Sequence, residues 1–199
     1  MQHKVYSLFA TNIGVFQIDI DCNKYLKIIE KEDYNLSDPN KSNLADISKN
    51  NKLFNNKKYK PLENKFKEAL DMYAYKYLEY KCDLNISNSW STRTKSKKES
   101  SLHNHSNSFL SGVFYLQEET SPIYFENFNK PHFNVPLQNP NIRNSQFYTL
   151  DTRPGLLLIF PSGTYHKILE NKSNKTRYSI AFNVLPKGKI GSCDNELIL

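Results

Sequence analysis

The chain has 199 residues, a formal net charge of +7 and an isoelectric point near 9.1, and this length predicts a single folded domain. Its mean hydropathy of −0.67 is low, but 13 tyrosines, 12 phenylalanines and one tryptophan can fill a core, which argues against disorder. No stretch approaches about 18 apolar residues, which excludes a membrane-spanning helix, and we expect no membrane partner.

The first sixty residues are mostly polar. The chain starts without an apolar leader segment, so we expect no secretion signal. Residues 5–20 alternate in polarity and predict one or two strands, broken near Asn12–Gly14. Residues 23–32 place apolar side chains at helical spacing and predict a short amphipathic helix. The polar segment 37–60 is expected to loop over the surface.

The segment from residue 62 carries the clearest helical pattern in the chain. Its apolar positions recur at spacings of three and four: Phe66, Ala69, Leu70, Tyr73, Tyr77 and Leu78. Pro61 suits the first turn of such a helix. We interpret this stripe as core packing.

Strand-like runs follow one another after residue 82. They cover residues 84–90, 110–117, 122–126, 155–160, 165–169 and 177–184. The proline- and asparagine-rich segment 127–145 is predicted to be an exposed loop, and His132 within it is interpreted as a loop residue, with a lid or substrate role left open. We expect a mainly β protein with N-terminal helices, in which an antiparallel sandwich or small barrel rests on a helical layer. This single domain 1–199 would consist of a support (1–82), a core (83–187) and a tail (188–199).

The cysteines and the charge bear on disulfides, zinc sites and nucleic-acid binding. Cys22, Cys82 and Cys193 are widely spaced and form no CxxC pair, so we expect neither a disulfide framework nor a cysteine zinc site, in keeping with a reducing cytoplasm. The 27 basic residues include four arginines, and the rest are lysines. Sequence-specific readers of nucleic acid use arginine forks and stacked aromatics, so a nucleic-acid partner is not favoured, although it stays open. We interpret the lysines as a solvated surface.

Three of the five histidines suggest a metal site. His103 and His105 are two residues apart, and in an extended strand their side chains would project from the same face. Two such imidazoles can bind one metal ion and leave room for a third ligand, which His166 at the start of a later strand could supply. Taken alone, an HxH pair more often has a surface or capping role.

A basic residue with a neighbouring hydroxyl follows this third histidine. Arg177 comes eleven residues after His166, which is enough for a strand, a turn and the start of the next strand. A guanidinium facing the same interior would need a partner, and a small dicarboxylate could bind to it in a bidentate manner. Ser179 would face the same way along the strand. The alternative is that Arg177 is exposed and pairs with an acid such as Glu170.

The order of these motifs resembles the Fe(II)/2-oxoglutarate-dependent dioxygenase superfamily. The matching segments are His103-Asn-His105, Ser111-Gly-Val-Phe-Tyr-Leu116, Ile159-Phe-Pro-Ser162 before His166, and Arg177-Tyr-Ser-Ile-Ala-Phe-Asn183. More narrowly, the chain looks like the 2OG-Fe(II) oxygenase branch of bacteria and phages, over about residues 88–185. The resemblance implies a double-stranded β-helix, the cupin-like jelly roll. Such an enzyme would act in the reducing cytoplasm that the cysteines indicate, or in the host cytoplasm if a phage encodes it.

The resemblance also implies roles for particular residues. Fe(II) would be bound by His103, His105 and His166, and the co-substrate 2-oxoglutarate by Arg177 and Ser179 with help from Tyr115. With O2, such an enzyme would hydroxylate a primary substrate that the sequence leaves unassigned. A homodimer through the N-terminal helices or a sheet edge would be compatible with such a fold.

One position departs from the superfamily pattern. The usual second ligand is a carboxylate, and His105 stands in its place; Glu126 or Asp151 could supply a carboxylate instead, but neither is at motif spacing. Three-histidine iron sites are typical of cupin dioxygenases that do not use 2-oxoglutarate. That activity stays open as an alternative, as does a non-catalytic jelly roll that binds a ligand.

Overall fold

Two antiparallel sheets form the centre of the computed structural model, which describes residues 1, 3–8, 10–36, 40, 44–118, 121–129 and 132–199. The strands found in this part of the chain are β1 Gly14–Gln17, β2 Tyr34–Leu36, β3 Asp46–Ser48, β4 Asp83–Thr94, β5 Leu110–Tyr115, β6 Ile123–Glu126, β7 Phe147–Leu150, β8 Leu156–Pro161, β9 His166–Ile168, β10 Arg177–Lys187, β11 Lys189–Ile190 and β12 Leu197–Ile198. The main sheet has the order β1-β8-β5-β10-β4-β3-β2, and the small sheet has the order β7-β6-β9. Strands β11 and β12 form a separate hairpin.

Helices occupy the N-terminal part of the chain. Helix α1 spans Cys22–Ile29, and helix α2 spans Lys60–Asp71 and continues as a π-helix over Met72–Tyr77. Short 3-10 helices lie at Leu53–Asn55, Lys57–Tyr59 and Cys193–Asn195. The side chain of Asp21 accepts a hydrogen bond from the backbone N–H of Lys24 (3.1 Å), which satisfies one of the free donors at the start of α1. Within the described residues, no helix combines the length and apolar character needed to cross a membrane.

The main sheet separates two apolar clusters. Alternate residues of β8 point to opposite sides, so Leu157 belongs to the cluster under the helices and Leu158 to the cluster between the two sheets. On the helical side, the ring of Phe66 from α2 lies 5.1 Å from the rings of both Phe114 and Phe182. Strand β10 lies at the centre of the main sheet, between β5 and β4. Its Ile180 and Phe182 belong to the cluster under the helices, and the alternating Ser179 and Ala181 face the other side.

The predicted fold class is confirmed, because the protein is mainly β, with N-terminal helices and antiparallel sheets. The prediction for residues 37–60 was wrong where the chain is described. That segment contributes β3 and two 3-10 helices, and it buries Leu53 and Tyr59 fully. Two apolar anchors among many lysines and asparagines leave no periodic pattern for sequence analysis to detect.

Residues 5–20 were predicted to form one or two strands, and in the described residues they form one, β1. Strand β7 was missed, because Phe147–Leu150 follows directly on the polar insert and keeps three exposed residues of four. The insert itself is irregular in the part that the structure describes.

Candidate metal and anion site

Three imidazoles converge between the two sheets. One ring nitrogen from each of His103, His105 and His166 lies within 4.8 Å of the corresponding nitrogens of the other two, and no other histidine, cysteine or carboxylate of the described residues joins this group. The rings of His103 and His166 are 4.5 Å apart, and each lies 5.2 Å from the ring of His105. The Nε2 atoms of His105 and His166 are separated by 3.3 Å. One metal ion could therefore contact all three rings.

Backbone hydrogen bonds bring these histidines together. His103 and His166 form an isolated antiparallel bridge in which each backbone N–H donates to the other residue's carbonyl, at 3.0 and 2.8 Å. The backbone N–H of His105 donates to the carbonyl of Ser162 (2.9 Å), at the turn that follows β8. The Ser162 hydroxyl is in turn 2.8 Å from that of the buried Ser111 on β5. These contacts attach the loop that carries His103 and His105 to both sheets.

Two of the rings have a defined orientation. Nδ1 of His103 lies 2.8 Å from the carbonyl of Ser101, and Nδ1 of His166 lies 2.9 Å from the carbonyl of Thr164. A carbonyl only accepts hydrogen bonds, so Nδ1 carries a proton in both rings, and Nε2 is the nitrogen of each ring that can bind a metal. Metal-binding histidines are typically oriented in this way by a second hydrogen bond.

Burial keeps two of the rings neutral. Burial lowers the pKa of His166 to about 3, with the neighbouring His103 ring adding to the effect. Burial likewise lowers the pKa of His105 to about 4, again with a contribution from His103. Both imidazoles are therefore uncharged at neutral pH, which is the form that coordinates a metal.

A buried arginine lies on the central strand of the main sheet. Arg177 and Ser179 are both 3% exposed and lie on the same face of β10. Tyr115 on β5 is fully buried and is the direct cross-strand partner of Ser179. The alternative of an exposed Arg177 paired with Glu170 is wrong, because the guanidinium is inside the sandwich.

Two residues that were not predicted from the sequence position this arginine. Thr94 is the cross-strand partner of Arg177 on β4, and its Oγ1 accepts a hydrogen bond from Nη2 of Arg177 (3.2 Å). Asn171 is buried, and its side-chain amide donates to the carbonyls of Thr94 (3.0 Å) and Lys175 (2.8 Å). The one signal in the sequence was the alternation of Thr92 and Thr94, which puts two hydroxyls on one face of a strand.

A small cavity of about 80 Å³ connects the histidines to this strand. Its lining includes the three histidines and Ser179, and its apolar walls are Val113, Ile123, Phe160 and Ile168. Trp90 lies on one side, with its ring 5.6 Å from that of His105. The cavity therefore joins a cluster of three imidazoles to a strand that carries a buried cation, within largely apolar walls.

The predicted shared strand for His103 and His105 is wrong. His103 and His105 do not share a strand, because His103 makes only the isolated bridge and His105 lies in a loop. Neither Glu126 nor Asp151 belongs to the cluster in the described part of the chain, and the carboxylate of Glu126 accepts a hydrogen bond from Tyr124 instead. His132 is exposed in the insert.

The part of the chain that carries this site is similar to a known protein family. The family described as "Putative 2OG-Fe(II) oxygenase" matches residues 88–183, a range that includes the three histidines, Tyr115, Arg177 and Ser179. No curated protein sequence matches the chain.

Several solved structures share the fold. The α-ketoglutarate-dependent epimerase SnoN from nogalamycin biosynthesis has a TM-score of 0.65 at 12% identity, over 86% of this chain and 76% of its own. HygX from Streptomyces hygroscopicus, solved with nickel, 2-oxoglutarate and hygromycin B, has a TM-score of 0.64 at 13% identity, over 88% and 83%. A prolyl hydroxylase from Trichoplax adhaerens has a TM-score of 0.62 at 11% identity, over 87% and 83%. At such identities the likeness establishes a common fold.

Proposed function

We propose that the chain is a 2OG-Fe(II) oxygenase, a family that matches residues 88–183, and that it binds Fe(II) on His103, His105 and His166 and 2-oxoglutarate on Arg177. The observation that carries the proposal is the convergence of three imidazoles beside a cavity lined by the strand of a buried arginine. A metal centre next to a buried cation suits a ligand that chelates the metal at one end and carries a carboxylate at the other.

The donor set fits a ferrous ion. Imidazole nitrogen is a good ligand for iron, and the Nδ1 hydrogen bonds of His103 and His166 direct their Nε2 lone pairs away from the backbone. Two nitrogens bound at right angles to one ion, about 2.1 Å from each, would be about 3.0 Å apart. The 3.3 Å between the Nε2 atoms of His105 and His166 is close to this value.

The protein's own groups bind and orient the co-substrate. The guanidinium of Arg177 neutralises the distal carboxylate of 2-oxoglutarate, while the hydroxyls of Ser179 and Tyr115 donate hydrogen bonds to it. Thr94 holds the guanidinium in place, and the apolar walls exclude water from the site. When bound, iron supplies the redox chemistry that converts 2-oxoglutarate and O2 to succinate and CO2 and puts the second oxygen atom into a C–H bond of the substrate.

We propose that the primary substrate approaches from the side of the insert 127–145. The ring of Phe128 lies 4.7 Å from that of Tyr165, the residue before His166, so the insert starts next to the metal site. Phe133 and Ile142 are each 81% exposed and could contact a substrate there.

A cytoplasmic location is supported by Cys22, Cys82 and Cys193, all of which are free thiols.

Anaerobic addition of Fe(II) and then 2-oxoglutarate to the purified protein tests the proposal. We expect the weak visible charge-transfer band of iron-bound 2-oxoglutarate, followed by succinate formation when O2 is admitted. His166→Ala should abolish iron loading, whereas His132→Ala, which removes an exposed histidine of the insert, should not. Metal binding without the band would indicate a dioxygenase that does not use 2-oxoglutarate, and failure to bind metal would indicate a non-catalytic jelly roll; either result would overturn the proposal.

A further inference from the structure

A second cavity lies on the helical side of the main sheet, away from the histidines. Its volume is about 420 Å³, and its lining comes from the end of α1, the turn after it, the residues after β3 and the 3-10 segment before α2. Four lysines line it: Lys27, Lys31, Lys49 and Lys58. We propose that this lysine cleft binds a small polyphosphate, a ligand that the oxygenase reaction does not require.

The lysines of the cleft form no ion pair with the described residues, whereas several lysines nearby do. Residues 23–67 contain eleven lysines against six acidic residues, so this segment holds most of the net positive charge of the chain. Nearby lysines outside the cleft are engaged: Lys60 and Lys67 both contact Glu63, and Lys52 donates to the carbonyl of Ser87. Among the described residues, by contrast, no ammonium group of the cleft lies within 4.0 Å of a carboxylate oxygen.

Two asparagines add hydrogen-bond donors to the cleft. Oδ1 of Asn50 accepts from the backbone N–H of Lys52 (3.0 Å), and Oδ1 of Asn56 accepts from the backbone N–H of Lys58 (3.1 Å). Because the oxygen of each side chain is held by the backbone, the amide NH2 group remains to donate to a ligand. The lining thus combines cations with neutral donors.

The carboxylates of the cleft do not cancel this charge. Two acidic residues, Glu32 and Asp33, face four lysines, so the lining is net positive. Glu32 also accepts a hydrogen bond from the buried Tyr59 hydroxyl (3.3 Å), and its Oε1 therefore has a partner within the protein. The backbone carbonyl of Asp33 accepts from Lys49 N–H (2.8 Å), which joins two of the contributing segments.

The shape and chemistry of the cleft favour a short chain of phosphates. Ligand sites typically measure about 300–1,000 Å³, a range that includes this cavity. Lysine acts as a point charge on a flexible stem, which suits phosphate oxygens that lie in several directions, whereas planar carboxylates favour arginine. A concave site lined by four lysines also suits a compact polyanion better than an extended duplex. Tripolyphosphate and the phosphates of a nucleoside triphosphate share this chemistry.

The test is a calorimetric titration of the full-length protein with inorganic tripolyphosphate, with ATP and with a short oligodeoxythymidine, at about 50 and 200 mM salt. The cleft variant Lys31→Gln/Lys49→Gln should weaken tripolyphosphate binding at least about tenfold, because it removes two of the four cations that line the cleft. The control variant Lys76→Gln/Lys172→Gln removes the same charge from exposed lysines outside the cleft and should change binding less than about twofold. Both variants should bind 2-oxoglutarate like the wild type.

The two sources of the phosphates are distinguished by affinity. If ATP binds more tightly than tripolyphosphate, the ligand of the cleft is a nucleoside triphosphate. If the two bind equally, the ligand is an inorganic polyphosphate. The proposal is overturned if tripolyphosphate does not bind, if the cleft and control variants lose affinity equally, or if the oligonucleotide binds more tightly than both phosphate ligands. None of these results affects the assignment of the oxygenase site, because they concern the other side of the main sheet.

Discussion

Replacing Arg177 with glutamine should weaken 2-oxoglutarate binding without removing iron. The guanidinium is buried, at 3% exposure, and is held by Thr94, so it is already positioned for the distal carboxylate. Removing one partner of a buried, hydrogen-bonded charge pair costs about 2–5 kcal/mol. Glutamine retains one amide donor at this position, which favours the lower part of that range. A loss of about 2–3 kcal/mol corresponds to a roughly 30- to 150-fold increase in Kd.

The assay is an anaerobic titration of the iron-loaded protein with 2-oxoglutarate, followed through the charge-transfer band. Arg153→Gln is the matched control, because Arg153 is exposed and contacts Gln17 at the edge of the main sheet (2.9 Å). We expect this control to bind 2-oxoglutarate like the wild type and both variants to retain iron. If Arg177→Gln has an unchanged Kd and forms succinate at the wild-type rate, the assignment of Arg177 to the distal carboxylate is wrong.

Three further predictions concern a proposed iron ligand, the packing of the core and the residue that positions Arg177. His105→Asp should retain iron and lower the Fe(III)/Fe(II) potential measured by voltammetry, because a carboxylate removes one positive charge from the site; an unchanged or higher potential would argue that His105 is not a ligand. Gly112→Ala should lower the free energy of unfolding, measured in urea, by about 1–3 kcal/mol, because the added Cβ would lie 2.2 Å from the Phe182 ring. The control is Gly163→Ala, whose Cβ meets no atom within 4 Å and which should lower the free energy of unfolding by less than about 0.5 kcal/mol. Thr94→Val should raise the KM for 2-oxoglutarate severalfold and leave kcat nearly unchanged, because it removes the hydroxyl that positions the guanidinium; a normal KM would exclude that role.

The fold was predictable wherever the apolar pattern was regular. Helix α2 was predicted from apolar residues at spacings of three and four, of which Phe66 and Leu70 are buried. The sequence pattern did not predict that the helix continues as a π-helix. The strands of the core follow runs of β-branched and aromatic residues. The short elements before α2 depend instead on single anchors such as Leu53, whose burial is decided by tertiary contacts rather than by neighbours in sequence.

The candidate site was predictable in its residue types but not in its supports. The HxH pair, the third histidine and the arginine could be identified from their order. Their supports lie far away in sequence: Thr94 is 83 residues from Arg177, and the turn at Ser162 that holds the His105 backbone is 57 residues from it. Such pairings follow from strand order, and a single sequence does not specify that order.

Strand β10 serves two purposes with alternate residues, and this has a consequence for how it tolerates mutation. Arg177, Ser179 and Ala181 lie on the side of the cavity, whereas Ile180 and Phe182 pack under the helices. Substitutions at the first set should reduce turnover in protein that still accumulates normally in cells, and those at the second set should reduce the amount of soluble protein. A saturation scan that scores abundance and activity separately should therefore show the two effects alternating residue by residue along this strand.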